Sequence, residues 1–349
     1  MSAAPGKSVL ITGANAGIGK EVARQLALRP EIARIYLACR NRDRASAAQA
    51  DLETATERRI FDIVVMDVAD LDSVSVGLAD VSGTIDALVM NAGVIGPQSL
   101  ALTADGVTTV FATNVLGHVV LLEGLLADDR LGEVAVLAGS EAVVGVPKLR
   151  MKRPSFVSTS ADELATVIDG SFFASSKADF SLAFAQAKYI GALWMAYLAR
   201  QHPDRRFITV SPGNTTGTQA PSDLPLPMRV AAKYVMPALG LAHKLDVGAK
   251  RLVDGVTDPT LTSGAFYASG ANTLTGPLVN QADFLPDLAN PSFQDHANEA
   301  IHRFITWTSA RLLADRLHRR RVNTEEHDHH DRTLEARWLR RSDAPGSRR

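Results

Sequence analysis

Along the first 140 residues, short apolar runs alternate with longer stretches whose apolar positions recur at helical spacing. Ser8–Ile11, Ile35–Cys39, Ile63–Met66, Ala87–Met90 and Val134–Ala138 have strand length and polar or glycine borders. Between them, Lys20–Leu28, Arg44–Thr56, Ser73–Val81 and Gly106–Leu126 predict helices. Strands and helices in strict alternation predict an α/β protein with a doubly wound parallel sheet and helices on both faces. A later helix over Tyr189–Arg200 and a strand over Phe207–Val210 continue the scheme. Residues 1–285 are expected to form one main domain, with an insertion at 146–170 and a substrate lid at 219–247. Residues 286–349 are expected to form a C-terminal helical extension with a partly flexible tail.

The first apolar run ends in Thr12-Gly13-Ala14-Asn15-Ala16-Gly17-Ile18-Gly19. A strand, a glycine turn and a helix form a dinucleotide-binding arrangement of the Rossmann type. Gly13 suits the tight turn, Gly17 a close approach of backbone to pyrophosphate, and Gly19 close packing of the helix, whose N-terminal N–H groups favour phosphate. A plain tight loop is the alternative. Four further junctions come after strand-like runs. Arg40 follows Cys39, where an NAD-selective site has an acid, so an arginine fork for a 2'-phosphate is expected and NADP(H) is favoured over NAD(H). A solvated basic helix start is the alternative reading of Arg40. Asp67-Val68 suits an adenine edge, and Asn91-Ala92-Gly93 a chain passing beneath a cofactor. Ser140 closes the fifth run.

Composition narrows the classes. The chain has 349 residues, 46% of them hydrophobic, enough for a full core. A formal net charge of -1 gives no steering toward nucleic acid. Cys39 is the one cysteine, so no intrachain disulfide forms, and a cytoplasmic setting is expected. The N-terminal stretch lacks a signal-like apolar region, and no apolar run approaches the roughly 18 residues of a membrane span.

In order and spacing, these motifs resemble the short-chain dehydrogenase/reductase family: TGANAGIG, Asp67-Val68, Asn91-Ala92-Gly93, Asn114 in FATNVLGH, Ser140, Lys188 and Pro212-Gly213. The similarity covers roughly residues 7 to 280. LACRNRDRA, TNVLGHVVLLEGLL and VTDPTLTSGAFYAS are most similar to the branch of retinol dehydrogenases and light-dependent protochlorophyllide reductases, which generally uses NADP(H). The resemblance implies hydride exchange between a nicotinamide and an alcohol or carbonyl carbon. It assigns a polarising serine to Ser140, a relay asparagine to Asn114 and the ribose-binding lysine to Lys188. Thr216 or Thr218 would contact the carboxamide, since Gly217 holds the usual threonine position.

The family's acid, a tyrosine four residues before the lysine, is Phe184 in this chain. A second register, Phe173 with Lys177, also begins with phenylalanine and would lengthen the helix by about eleven residues. Tyr189 is turned away from position 184 by about 140° on a helix. Phe184 therefore marks an engineered variant, or a natural loss or reassignment of the acid. The reading is an oxidoreductase of an apolar small molecule acting on an alcohol and ketone pair or a conjugated double bond. The alternative is a silent NADP-binding sensor or scaffold.

Three stretches stay open. The basic run Pro147–Pro154 fits an acidic substrate or a solvated loop. The proline-broken apolar segment Leu224–Leu245 reads as a lid rather than a membrane-surface helix. The Arg- and His-rich tail beyond Arg311 offers metal-binding types at spacings more typical of flexible chain, and no metal is expected. A docking role for that tail leaves a homo-oligomer open.

Overall fold

The computed structural model describes residues 6–145, 153–174, 179–216, 241–270 and 273–305. In chain order come β1 (Lys7–Thr12), α1 (Gly17–Ala27), β2 (Ile32–Cys39), α2 (Arg42–Thr56), β3 (Phe61–Val65), α3 (Leu71–Asp80) and β4 (Ile85–Met90). Helix α4 (Thr109–Ala127) leads to β5 (Leu131–Ala138), α5 (Glu141–Val144), α6 (Ala161–Asp169) and α7 (Phe180–Gln201). The remaining elements are β6 (Arg206–Val210), α8 (Leu245–Thr257), β7 (Phe266–Ala268), β8 (Val279–Asn280) and α9 (Pro291–His302).

The strands form one sheet in the order β3-β2-β1-β4-β5-β6-β7-β8. All pairings are parallel except the last. Strand order reverses between β1 and β4, so the two chains leave their carboxyl ends in opposite directions and open a crevice there. Helices α1, α2 and α8 cover one face, and α3, α4 and α7 the other. Central strands bury both faces, which is why Val9, Leu10 and Ile11 read as a continuous apolar run rather than an alternating one.

Local sequence sets most helix starts. Asn41, Asp70 and Asp179 each cap a helix by accepting a backbone N–H two or three residues on. Helix α1 has no such cap: its cap position is Ala16, and its first N–H groups have no side-chain acceptor there. Helix α4 is irregular: residues Ala112–Leu116 form a π turn between two α segments. By length and mean hydropathy (1.7) α4 could cross a membrane, but 72% of that apolar window is buried inside the fold.

The first compact unit runs from Met1 to Phe304. Helix α9 belongs to it because Phe293, Ala297, Ala300 and Ile301 are buried against α6 and α7. The second unit, Ile305–Arg349, lies outside the described residues except for its first residue, as do the tail histidines and residues 219–240 of the expected lid.

Candidate active site

The parallel sheet brings every junction singled out in the sequence to one edge. At β1, Gly13 and Gly17 have φ of +67° and +55°, a region that favours glycine. Gly19 sits close against the loop rather than the strand: a Cβ there would lie 2.4 Å from the Gly13 carbonyl oxygen and 2.5 Å from Asn91 Nδ2. The loop therefore tightens around the uncapped start of α1. Asn15 and the partly buried Ile18 belong to the same turn.

Thr12 ties this loop to β4. Its Oγ1 accepts the N–H groups of Asn91 (2.9 Å) and Ala92 (3.0 Å), and its carbonyl accepts Asn91 Nδ2 (2.9 Å). With two donors already arriving, the Thr12 hydroxyl gives its own proton to His118 Nε2 at 2.9 Å. Nδ1 of that ring then carries the proton toward the Asn114 carbonyl, 3.4 Å away. Burial first, and then the charge of Lys188, push the His118 imidazole down to about 3, so it stays neutral. His118 was not among the residues expected at the site.

Asn114 lies in the π turn and is fully buried. Its Nδ2 donates to the carbonyls of Val94 and Val110, both at 2.8 Å, which fixes the amide. Its Oδ1 has no hydrogen-bond partner among the described residues. A Cβ on the exposed Gly93 would lie 2.5 Å from that oxygen and 3.7 Å from Lys188 Nζ, so a side chain at 93 would fill the space both groups face.

Lys188 comes from the middle of α7, 4% exposed, and donates to the Ala138 carbonyl at 2.7 Å. Phe184, one turn earlier, has its ring centroid 5.8 Å from Nζ. Burial brings the Lys188 ammonium down to about 7. The unfolded chain titrates this amine near its ordinary 10.5, so between these values the unfolded chain holds more protons and stability rises with pH. Lys188→Met removes that rise, so urea unfolding at roughly pH 7 and 9.5 should show a smaller gain for the variant than for the parent. Equal gains would mean the amine is not buried in the charged form's disfavour.

Ser140 is partly exposed and caps α5, accepting the Ala142 N–H at 3.2 Å. Behind it lies a buried ion pair that the sequence did not disclose. Arg251 Nη1 donates to Glu141 Oε1 and to the Ser211 carbonyl, each at 3.2 Å. Its Nη2 donates to Ser269 Oγ (2.9 Å) and the Gly276 carbonyl (2.6 Å), while Ser269 donates from both N (3.0 Å) and Oγ (2.8 Å) to Glu141. Pro212-Gly213 comes after β6 at the same edge; Gly213 has φ +74° and a Cβ there would meet the His243 ring at 2.6 Å. Thr216 Oγ1 donates to the His243 carbonyl at 3.1 Å, and Thr218 lies outside the described residues.

Arg40 is exposed just past β2 and makes no ion pair among the described residues. Cys39, by contrast, is buried under the glycine loop, receives the N–H groups of Ala14 and Asn15, and is pushed by burial up to about 11. Asp67 accepts the Ala69 N–H at 3.0 Å, and Val68 presses its carbonyl on Gly117, where a Cβ would come within 1.9 Å. Lys177 lies outside the described residues. Tyr189 turns the other way from Lys188, toward a cleft of about 390 Å³ shared with Phe156 and Phe293, where its hydroxyl meets Arg153 (2.6 Å) and Asp287 (3.2 Å). Burial, the largest cause, raises that phenol to about 12.

Residues 7–149 match the short chain dehydrogenase family. A protochlorophyllide reductase B of Oryza sativa subsp. japonica is 30% identical over 292 residues, spanning 76% of this chain and 69% of that protein. The retinol dehydrogenase 12 of Bos taurus is 40% identical over 134 residues, 37% of this chain, and the match spans 40% of that relative's own length. Among solved structures, salutaridine reductase from Papaver somniferum aligns with a TM-score of 0.55 at 19% identity, covering 74% of this chain and 99% of that one. An NADPH-bound carbonyl reductase from chicken fatty liver aligns with a TM-score of 0.51 at 17% identity, covering 75% and 96%. The chain belongs to the short-chain dehydrogenase/reductase family of oxidoreductases, which bind nicotinamide cofactors and act on small molecules.

Proposed function

We propose that this chain is an NADP(H)-dependent oxidoreductase that interconverts an alcohol with a ketone or aldehyde, or reduces a conjugated double bond, on an apolar small molecule. The observation that carries the reading is the convergence of Lys188 Nζ and the unpartnered Asn114 Oδ1 on the space beside Gly93. The lysine suits a polar ribose, which any cofactor-binding protein needs, and the asparagine oxygen suits a relay water, which serves proton transfer alone.

A bound nicotinamide supplies or takes up a hydride. The residues that would hold the cofactor are Gly13, Asn15, Gly17, Ile18 and Gly19 at the phosphates, and Asp67 and Val68 at the adenine. Asn91, Ala92, Gly93 and Lys188 would lie along the ribose side, with Pro212, Gly213 and Thr216 at the carboxamide. Ser140 polarises the reacting oxygen, and Asn114 orients water. Relatives named for retinol and protochlorophyllide favour an apolar, conjugated substrate. The reading includes a cytoplasmic setting, in keeping with a single buried cysteine.

Arg40 is the proposed partner of a 2'-phosphate, being exposed at the end of β2 with no ion pair among the described residues. NADPH should bind more tightly than NADH, and Arg40→Ala should narrow the gap by about 1 to 3 kcal/mol, the value of charge-assisted hydrogen bonds. Fluorescence titration with both cofactors measures it. Equal affinities in the unmodified chain would end the NADP assignment.

Phe184 favours a second reading, a cofactor-binding sensor or scaffold, because it leaves position 184 without a phenol. Turnover of an apolar ketone or alcohol panel with NADPH or NADP decides between them.

A further inference from the structure

We propose that in this chain Lys188 itself is the acid that protonates the substrate oxygen. The inference rests on the oxidoreductase reading and deepens it. In the reducing direction the carbonyl carbon takes up the hydride that a reduced nicotinamide supplies, and the C=O π pair moves to oxygen. An N–H bond of the Lys188 ammonium then breaks as the O–H bond forms. The neutral amine left behind regains a proton from water.

Four observations support the assignment. First, the residue one turn before Lys188 presents an apolar ring, 5.8 Å from Nζ, that has no proton of its own to give. The ring face also holds the cation in place. Second, an ammonium has three N–H donors, and among the described residues Lys188 spends one of them on a protein acceptor, the Ala138 carbonyl, which leaves one for the cofactor ribose and one for the substrate oxygen. Third, Nζ borders the space beside exposed Gly93 that a side chain at that position would fill. Fourth, Asn114 Oδ1 faces that same space and lacks a partner among the described residues, which places an acceptor for a reloading water next to the amine.

The charged groups around α7 leave the amine to its burial. His118, on α4, is neutral. Glu141 of α5 is held by Arg251, and Asp287 is held by Arg153 on the Tyr189 side of the helix. On α9, Asp295 pairs with Arg200, Glu299 with Arg303, and His302 with Glu123. On α6, Asp162 also pairs with Arg303, and Glu163 accepts the Val157 N–H. Arg206 of β6 is spent on the carbonyls of Val256 and Asp258. Burial alone thus brings Lys188 to about 7, where an amine both gives and recovers a proton near neutral pH.

The test combines a titration with kinetics. Labelling of Lys188 by an amine-acylating reagent across pH, read by mass spectrometry with and without NADPH, reports its titration apart from activity. NADPH oxidation with a panel of apolar ketones, aldehydes and conjugated enones, at saturating cofactor, is followed across the same pH range. The parent is compared with Lys188→Arg, which keeps the charge, and with Lys188→Met, which keeps the volume. The proposal expects Lys188 to titrate near neutral pH and kcat to fall as pH rises through the same value. It expects both variants to lose about 100-fold or more and to show no such limb. Turnover that survives in Lys188→Arg or Lys188→Met with its pH limb intact overturns the proposal alone, as does a Lys188 that titrates near its ordinary value. Absence of turnover in every form, Phe184→Tyr included, while NADPH still binds, overturns the oxidoreductase reading as well.

Discussion

Phe184→Tyr is expected to raise kcat by about 100- to 10,000-fold, the range that a well-placed general acid supplies. Position 184 lies one helical turn before Lys188 on the same face, so a phenol there would sit beside the ammonium. A neighbouring cation stabilises the phenolate and brings tyrosine, ordinarily near 10, within reach at neutral pH. The gain falls toward the lower end of the range to the extent that Lys188 already provides the proton. Cofactor affinity should hardly move, since the ring keeps its place and Lys188 its contacts; a change in kcat with little change in binding marks an interaction made in the transition state. Side-by-side rates of NADPH oxidation and of the reverse reaction measure it. Equal rates in the two proteins would show that a phenol at 184 adds nothing to the proton that Lys188 supplies.

The second large effect concerns the buried pair behind Ser140. Glu141 and Arg251 are 5% and 4% exposed, and each is wrapped in further hydrogen bonds. Removing one partner leaves the other charge buried and unmatched, so Glu141→Leu should cost about 3–5 kcal/mol of unfolding free energy. Removing both need not be so costly, because the desolvation of two charges disappears with their attraction. The double variant Glu141→Leu with Arg251→Met should therefore recover much of the loss, giving a strong coupling in a double-mutant cycle read by urea unfolding. Additive losses would mean that the two side chains act separately. Because Glu141 is the first residue of the helix that Ser140 caps, the single variant should also loosen Ser140 and lower turnover.

The parts of this molecule that were visible in its sequence share a physical cause. Buried parallel strands need unbroken apolar runs, so the strands from Val9 to Val210 announce themselves. Parallel topology then carries the carboxyl end of each run to one edge, which is why Gly13, Arg40, Asn91, Ser140 and Pro212 could be gathered from their positions along the chain. Other features depend on contacts that composition does not encode. Glu141 and Arg251 stand 110 residues apart and meet only because α8 packs beneath β5 and β6. His118 reads as one polar residue in an apolar helix until Thr12 is placed against it. The burial that lowers Lys188 is equally a property of the assembled fold. Helix α9 is a different case: Phe293, Ala297, Ala300 and Ile301 have the amphipathic spacing of a packed helix, which is legible in the sequence.

The π turn at Ala112–Leu116 acts as a phase shifter. A π turn carries one more residue than the α-helical path, so the segments on either side are offset by about 100° from the bearing a regular helix would give them. Ahead of it, Val110 and Phe111 are buried and Val110 holds the Asn114 amide; beyond it, Gly117 fits under the Val68 carbonyl and His118 meets Thr12. The segment ahead of the turn thus fixes the Asn114 amide and the segment beyond it packs on Thr12 and Val68, with the offset residue setting the angle between them. Deleting a single residue from 112–116 would keep the composition and the apolar character of α4 almost intact, yet it would turn one of those two faces away from its partner. A length change of one residue at this point is therefore more disruptive than most substitutions along the same helix.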